Sequence, residues 1–534
     1  MKKNLFKTGL IIVLALMMAF AAACTTAAPT TSGETQGQPA AAADAAASEA
    51  EVPVATAKTK DPTTLYVAMN QKIDVIDGPN GNGLATQVML HVGDPLARST
   101  EDGGIAPCLA LSWESLDEFT WQFKLREGVK FTNGEDFNAE AVKVTMEYIA
   151  EYFRYSSQFG AAWPVSAEIV DDYTVNIVTP AFCPDLPSLL ARVPIFAPKQ
   201  YQEEGAEVFF THTVGTGPYI IETFDPGLSC TVVANEDYWD GAKPIKKIVF
   251  DWVADQSARV SGLQSGDYDF AYVVPLSQVD AMRNAGFEVD IYNTVGTDMI
   301  FFTGNAKESS WVHNEKFREA CSFAIDHVAI KDSLLNGYPS VLAGIADITT
   351  LGAIDTRELT YDPDKAQQIL SEIGYDGTPI VFHYFSGEFS GQDEVCEAVA
   401  SYLEAVGIKV DLAVIEEAAF TDSVKTGAID LVAQRMPGPY YGVSTYYIRQ
   451  MASASRNNSP QFPEVGELVD QANAYGLSEE ERVKILEEAN ATYWAHYPVI
   501  WGVHEVASNG LTSDLQGVIN LPNSFCLFYD CYFE

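Results

Sequence analysis

The chain has 534 residues, 47% of them hydrophobic and 11% aromatic, which predicts a globular protein with two or three substantial domains. Its 73 acidic and 32 basic residues give a formal net charge of −41. A surface of that charge repels phosphate backbones and argues against nucleic-acid binding, but acidity by itself names no ligand.

Residues 1–23 are predicted to be an export signal. Lysines near the start precede an apolar run over residues 9–20, which is too short for an ordinary membrane span. The small residues 21–23 lead directly to Cys24, and this pattern resembles the lipobox of bacterial lipoproteins, although Ala21 stands where leucine is usual. We expect Cys24 to be lipidated and the acyl chains to hold the protein on a membrane. The alternative is an ordinary signal peptide with a chance cysteine.

Residues 24–62 are predicted to be a disordered tether that follows the lipidated cysteine. The stretch is rich in Ala, Thr, Ser, Gly and Pro and has almost no large apolar side chains. Nothing in it can offset the entropy cost of ordering the chain.

Seven cysteines follow Cys24, and an odd number cannot pair completely within one chain. No pair has C-x-x-C spacing, and neither the cysteines nor the seven dispersed histidines have the spacing of a metal site. Most of these cysteines are predicted to be small core residues, and pairing of Cys526 with Cys531 is left open. The sequence predicts no metal and no cofactor.

Short strands dominate the first half of the folded sequence. Residues 65–69 predict a first strand, residues 111–131 predict two strands around a turn, and residues 173–178 predict another alternating strand. A helix is predicted to open at Asn138. The large aromatic residues of the 111–131 block are predicted to be core: Trp113, Trp121, Phe123 and Phe131.

Gly215 and Gly217 belong to the segment G-T-G-P-Y at 215–219. A phosphate-binding loop would need the pattern G-x-x-x-x-G-K-[ST], which the sequence lacks. We therefore expect a backbone turn in which glycine adopts unusual φ values.

The second half of the sequence alternates helices with short strands, which is typical of a sheet covered by helices. The predicted helices are 315–335, 363–373, 393–406 and 479–496, and the predicted strands are 380–384, 408–414 and 429–433. No repeat of fixed period is visible.

Eight stretches, in order, resemble the family 5 solute-binding proteins of ABC importers, the peptide/nickel group. The resemblance covers residues 63–534. The stretches are 109–142, 215–219, 235–250, 258–269, 317–326, 361–375, 407–412 and 427–431.

The resemblance implies an α/β (α+β) fold of two lobes like that of the periplasmic binding proteins (type II cluster), with an extra β-rich subdomain inserted in lobe I. Two segments would cross between the lobes, so the expected motion is hinge closure around a ligand. The implied divisions are 63–92, 214–303 and 500–534 for lobe I, 93–213 for the inserted subdomain, and 304–499 for lobe II.

The implied function is that of an extracytoplasmic substrate-binding lipoprotein, a monomer anchored by lipid to the outer face of the cell membrane or in the periplasmic space. It would capture a small solute and deliver it to the permease subunits of an ABC importer, without catalysis. A peptide or peptide-like ligand is preferred, and the alternatives are an oligosaccharide, an anionic solute or a nickel chelate. A signalling receptor without transport would share this sequence.

An exported hydrolase is the competing functional class. The triad Lys-Thr-Gly, found in penicillin-binding enzymes, occurs at 425–427, but it also occurs at 7–9 within the predicted signal. No S-x-x-K, S-D-N, G-x-S-x-G or H-E-x-x-H pattern accompanies it. The sequence therefore predicts that the protein is not an enzyme.

Peptide-binding members of the family hold the ligand's α-ammonium with an aspartate shortly after the strand that corresponds to 430–433. Aligned on G-A-I-D-L, this sequence has Met436 at the position of a family tryptophan and Pro439 at that aspartate. No Asp or Glu occurs between 431 and 463. Because a buried ammonium without a carboxylate is costly, the usual peptide anchor is missing unless an acid elsewhere in the fold replaces it.

Candidate ligand-binding residues fall in two groups. The segment after strand 429–433 offers an arginine that could fork onto a carboxylate or phosphate, and tyrosines suited to sugar rings or aromatic groups, unless these pack against the adjacent lobe. This group is Gln434, Arg435, Met436, Tyr440 and Tyr441. Family position adds Asn80, Asn82, Tyr272, Trp501 and His504.

Overall fold

The computed structural model describes residues 61–436 and 462–534, apart from 81–82, 154–161, 305, 343, 345–350, 355–358, 385–388, 390, 417–418, 421 and 424–425. The chain divides into two compact units, Met1–Val54 and Ala55–Glu534, and all described residues belong to the second. The predicted signal, Cys24 and nearly all of the tether lie outside the described residues. Among the helices that are described, none is long and apolar enough to cross a membrane.

Twenty strands and thirteen α-helices are described, together with 3₁₀ turns at Leu276–Gln278 and Trp311–His313. The strands are β1 Thr64–Met69, β2 Ala97–Ser99, β3 Ile105–Pro107, β4 Ala110–Ser115, β5 Thr120–Leu125, β6 Ser166–Asp171, β7 Thr174–Val178, β8 Tyr219–Asp225, β9 Ser229–Ala234, β10 Lys247–Trp252, β11 Phe270–Ala271, β12 Phe287–Phe302, β13 Ile380–Tyr384, β14 Val410–Val414, β15 Leu431–Met436, β16 Val499–Thr512, β17 Leu515–Gln516, β18 Ile519–Asn520, β19 Cys526–Leu527 and β20 Tyr532–Phe533. The helices are α1 Gly83–Val92, α2 Ala139–Tyr152, α3 Leu186–Leu190, α4 Pro198–Glu204, α5 Ala206–Phe209, α6 Gln256–Ser265, α7 Val279–Asn284, α8 Glu315–Phe323, α9 His327–Leu334, α10 Pro363–Glu372, α11 Gln392–Ala405, α12 Pro463–Ala472 and α13 Glu479–Ala495.

A mixed ten-stranded sheet organises the molecule, in the order β14-β13-β15-β12-β16-β11-β1-β10-β9-β8. On one side β13 runs parallel to both β14 and β15, and on the other β1 runs parallel to both β10 and β11. The long antiparallel strands β12 and β16 lie between these two halves and pair with each other. Two α/β halves joined by two long strands form the two-lobed fold that the sequence predicted.

The pairing of β12 with β16 is interrupted by a bulge. Asn293 pairs with Val506 and Thr297 with His504, so β12 contains two more residues than β16 between these pairs. A bulge bends the strand and changes the direction of the side chains it carries. The bulged residues 294–296 are buried.

A separate four-stranded antiparallel sheet has the order β4-β5-β7-β6. Helix α2 packs against it, and Asn138 caps this helix by accepting a hydrogen bond from the Glu140 N–H. The expected core residues Phe123 and Phe131 are buried, whereas Trp113 and Trp121 are only partly buried against the same core. This sheet lies within the range predicted for the inserted subdomain, 93–213, but the domain boundaries themselves stay a prediction.

The prediction of unusual φ values at Gly215 and Gly217 was wrong, because neither glycine has a positive φ. Both are needed for close packing instead. A Cβ on Gly215 would lie 2.3 Å from the Val92 carbonyl oxygen, and a Cβ on Gly217 would lie 2.6 Å from the Val92 carbonyl carbon. The segment therefore lies against the end of α1, where its backbone hydrogen-bonds to Val92.

The cysteines after Cys24 are core residues, as expected. All seven are buried and free, including Cys526 and Cys531, whose pairing had been left open.

Candidate functional site

A cavity of about 830 Å³ lies where β12, β15 and β16 meet the loops that follow β1 and β11. Its size is within the range of small-molecule sites in proteins. Both halves of the large sheet contribute to its lining: Asn70 and Gln71 follow β1, Phe389 follows β13, and Arg435 is the penultimate residue of β15. A ligand held here would contact both lobes.

Strand register brings three charged side chains to one face of the sheet. Arg435 on β15 pairs with Asp298 on β12, and Asp298 pairs with Val503 on β16. Residues directly opposite each other share a face, and so do residues two apart along a strand. Glu505 is therefore on the same face as Arg435 and Asp298, and all three line the cavity.

Arg435 forms an ion pair with Glu505 through its Nη2 atom. The Arg435 side chain is 37% exposed, whereas the Glu505 side chain is only 10% exposed. The other carboxylate oxygen of Glu505 accepts a hydrogen bond of 3.0 Å from the Thr294 hydroxyl. Glu505 is thus held in place from two directions, by a guanidinium on β15 and by a hydroxyl on the β12 bulge.

The bulge makes room for this carboxylate. A Cβ on Gly296 would lie 2.1 Å from Glu505 Oε2, so the carboxylate would have to move to admit any side chain at this position. The Gly296 N–H donates to Thr294 Oγ1 at 3.0 Å, which orients the hydroxyl that contacts Glu505. Glycine at position 296 is therefore part of the site through its lack of a side chain.

A second arginine that lines the cavity, Arg259, is engaged with the backbone. Its guanidinium donates to the carbonyl oxygens of Tyr272, Val253 and Ala254 at 2.7–2.9 Å and to that of Val273 at 3.3 Å. Val273 has a φ of 54°. Arg259 thus holds the backbone that follows β11 in place, and most of its N–H donors are used in these hydrogen bonds.

Two of the predicted ligand-binding residues, Arg435 and Tyr272, line the cavity. The Tyr272 hydroxyl accepts a hydrogen bond of 2.5 Å from Gln87 and is buried, and burial raises the pKa of Tyr272 well above its ordinary value. Trp501 lies behind the cavity. It is fully buried and stacks at 6.4 Å on Phe389, which does line the cavity.

Other predicted residues do not line this cavity. Gln434 and Met436 point to the opposite face of β15 from Arg435, and Met436 is buried in a core with Phe462. Asn80 donates to Asp77 Oδ2 and to the Tyr148 hydroxyl, both at 3.1 Å.

His504 also points away from Glu505, because the two are neighbours on one strand. Its backbone N–H donates to the Ser340 carbonyl oxygen at 2.9 Å. Of the remaining predicted residues, Asn82, Tyr440, Tyr441 and Cys24 lie outside the described residues, as does Pro439.

The sequence analysis missed the two acids of the cavity. Asp298 precedes the apolar run Met-Ile-Phe-Phe, and Glu505 stands alone in the long strand W-G-V-H-E-V-A-S-N. A single acidic residue within an otherwise apolar strand could have marked each of them as a site residue, because a buried carboxylate needs a partner.

Two α/β halves around a cavity at a pair of shared strands define a two-lobed binding protein. Residues 104–458, more than half of the chain, match the family "Bacterial extracellular solute-binding proteins, family 5 Middle". The chain belongs to this family.

Relatives of known name include the glutathione-binding protein GsiB of Salmonella typhi, which is 25% identical over 448 residues, covering 78% of this chain and 83% of the relative. GsiB of Escherichia coli O1:K1 / APEC is 27% identical over 304 residues, which is 56% of this chain and only 59% of the relative. Among solved structures, the ABC transporter substrate binding protein CtaP from Listeria monocytogenes matches with a TM-score of 0.79 at 20% identity, covering 89% of this chain and all of that one. This structural likeness bears on the fold alone.

Proposed function

We propose that this protein captures a small peptide-like solute between its two lobes and delivers it to the permease of an ABC importer. The observation that carries the proposal is the 830 Å³ cavity at the strands shared by both halves of the sheet. Family membership over residues 104–458 supports the same role.

The proposal includes the mode of attachment. Cys24 would carry lipid, residues 24–62 would form a tether, and the folded part would work as a monomer outside the cytoplasmic membrane. Its divisions would be lobe I at 63–92, 214–303 and 500–534, the inserted subdomain at 93–213, and lobe II at 304–499. The basis is the sequence pattern of the first 62 residues and the family resemblance of the rest.

A peptide-like ligand is favoured because the cavity carries both signs of charge. Arg435 can meet a carboxylate, and Glu505 and Asp298 can meet an amine. The relatives named for glutathione, a small peptide, agree with this choice. An oligosaccharide, an anionic solute or a nickel chelate remains the alternative.

Binding rather than catalysis is the proposed activity. The cysteines are poor nucleophiles, since burial raises the pKa of Cys230 and of Cys526 to about 12. Among the described residues no cluster of three or more His, Cys, Asp or Glu could hold a metal ion.

A thermal-shift screen tests the proposal. The chain from residue 25 onward would be heated with small peptides including reduced glutathione, with oligosaccharides, and with nickel chelates. A ligand that binds only the folded state stabilises it by about 2.7 kcal/mol at one hundred times its Kd. We expect a free peptide to raise the Tm by several degrees. Stabilisation by oligosaccharides alone would favour the alternative ligand, and no shift with any class would contradict the proposed function.

A further inference from the structure

We propose that an exposed apolar surface on predicted lobe I docks on an extracytoplasmic segment of the permease. We call this surface the rim patch and define it by Val75, Leu228 and Trp252. The proposal rests on the proposed function and adds the place and the chemistry of the contact. The partner segment would present an apolar side chain flanked by basic residues.

The three side chains of the rim patch are apolar and exposed. Leu228 is 66% exposed, Val75 is 45% exposed and Trp252 is 38% exposed. Single exposed apolar residues are common on protein surfaces, whereas a group of them marks an interaction site. Tryptophan is also among the residues that contribute most to the binding energy of an interface. The rim patch therefore has the composition of a docking surface.

Backbone hydrogen bonds join the three segments that carry these side chains. The Trp252 N–H donates to the Leu228 carbonyl oxygen at 2.8 Å. The Gly227 N–H donates to the Ile73 carbonyl oxygen, also at 2.8 Å, and so attaches the loop that contains Val75. The rim patch thus lies on neighbouring segments that are held together before any partner binds, which lowers the entropy cost of docking.

The rim patch lies at the same edge of the large sheet as the cavity. Strands β1 and β10 are parallel, and their last residues, Met69 and Trp252, pair with each other. The loops that continue from these strand ends line the cavity with Gln71 and Ala254. Because a captured solute leaves through the mouth of the cavity, the surface beside that mouth is the one that a permease can use to receive it.

The charges around the rim patch favour a basic partner. Asp74, Asp225 and Asp255 flank it in sequence and are all exposed. An apolar centre with a charged rim is the usual arrangement of an interface. These acids, together with the formal charge of −41, would be repelled by a bilayer of anionic lipids. Lysine or arginine around an apolar side chain of the permease would instead be attracted.

The test compares Leu228→Ser and Trp252→Ser in the full-length chain with Val170→Ser. Val170 is the matched control, because it is 53% exposed on β6 in the separate four-stranded sheet. Ligand affinity would be titrated with tri-alanine and reduced glutathione. Uptake of the labelled probe that binds would be measured in cells of the source organism that lack their own copy of the chain. We expect both variants to keep the affinity of wild type and to reduce uptake on the order of 10-fold, and the control to change neither.

A photocrosslinking amino acid at position 228 identifies the partner directly and does not depend on the folding of Trp252→Ser. We expect it to join the chain to a membrane-spanning permease subunit, with a higher yield when the probe is bound. The same amino acid at position 170 should give no such product. Crosslinks to lipid, or to a second copy of this chain, would overturn the inference in favour of that occupant.

Two further outcomes would overturn the inference and leave the proposed function intact. Weaker binding of the probe by the rim-patch variants would show that predicted lobe II covers this surface on closure. Uptake equal to that of wild type in both variants would show that the permease docks elsewhere. Binding of no probe, or binding without uptake by the wild-type chain, would contradict the proposed function itself and the inference with it.

Discussion

His91 shows what a single buried residue does to the pH dependence of this protein. Its Nδ1 contacts the Gln87 carbonyl oxygen at 2.9 Å, and its Nε2 accepts a hydrogen bond of 3.0 Å from the Phe528 N–H. Both nitrogens are satisfied in the neutral ring, which packs against Tyr529 at 5.0 Å between centroids. Burial lowers the pKa of His91 from 6.5 to about 4. His91 thus ties α1 to the C-terminal segment as an uncharged group.

The first prediction concerns acid stability. The unfolded chain binds a proton at His91 below pH 6.5 and the folded chain only near pH 4, so this residue's stabilisation is complete above pH 6.5 and is lost as the pH falls to about 4. The loss amounts to about 3 kcal/mol. We expect urea unfolding of wild type to lose about 2 kcal/mol more between pH 7.5 and 4.5 than unfolding of His91→Gln does. Parallel pH curves for the two proteins would contradict the prediction.

At the same scale, the sequence predicted one charged residue of the site and missed its partners. Arg435 was identified because it stands near a family landmark on β15. Glu505 and Asp298 lie about 70 and 137 positions away in sequence and meet Arg435 only through strand register. Register between strands so far apart depends on the whole sheet, and the local pattern around each acid does not contain it.

At the scale of elements, several regular helices and strands were predicted closely, but the single helix predicted over 315–335 was wrong, because the structure has two helices there, α8 and α9. Strand β13 has the predicted bounds 380–384, the helices α10 and α13 end one residue earlier than expected, and α11 is shifted by one residue at both ends. The sixteen-residue β12 was not predicted. Its polar outer part, its bulge and its apolar end show three different patterns, so no single period marks it as one strand.

The second prediction concerns the bulge. Gly296→Ala would place a Cβ 2.1 Å from Glu505 Oε2, so the carboxylate must move and loosen its contacts with Thr294 and Arg435. We expect a loss of about 1–3 kcal/mol in the free energy of unfolding, as for other overpacked sites, together with weaker ligand binding. Chemical denaturation and titration of the same sample measure both.

Gly466→Ala is the matched control for this substitution. Gly466 lies inside α12 and has open space where its Cβ would be. Alanine there should raise stability by about 0.5–1 kcal/mol without changing ligand affinity. Equal effects of the two substitutions would show that the bulge has no special need for glycine.

At the scale of the whole molecule, one buried ion pair joins distant parts of the chain. Arg482, in the first turn of α13, contacts both oxygens of Asp185 at 2.7 Å, and the side chains are only 11% and 10% exposed. Beside this pair the rings of Phe182 and Tyr475 meet edge to face, with centroids 5.2 Å apart. These contacts link the predicted inserted subdomain with predicted lobe II.

The third prediction follows from that link. Asp185→Asn removes one partner of a buried pair, which typically costs 3–5 kcal/mol. Because lobe opening changes the distance between the two linked parts, we expect the variant to favour the open state. Small-angle scattering should show a larger radius of gyration. Titration should show weaker ligand binding, although residue 185 does not line the cavity.

Glu236→Gln provides the control for the loss of a carboxylate. Glu236 pairs with Lys246 at 2.9 Å, but both side chains are well exposed, so the pair should contribute at most about 1 kcal/mol. We expect unchanged scattering and affinity. An unchanged radius of gyration in Asp185→Asn would contradict the prediction that the Asp185–Arg482 pair stabilises the closed state.

The pairing of β12 with β16 also limits how the lobes can move. Two unpaired linkers would let each lobe swivel freely, whereas strands paired from Phe287–Thr512 to Ile300–Trp501 form a hydrogen-bonded ribbon that resists splaying. A two-stranded ribbon of this kind twists more easily than its strands separate. It should twist most at the bulge, where the hydrogen-bonded pairing is interrupted and the local twist is greatest. Opening and closing of the lobes would then be mainly a twist of β12 and β16 about their common axis. Glu505 contacts Thr294 of this bulge, so it would move least while the rest of the cavity turns around it.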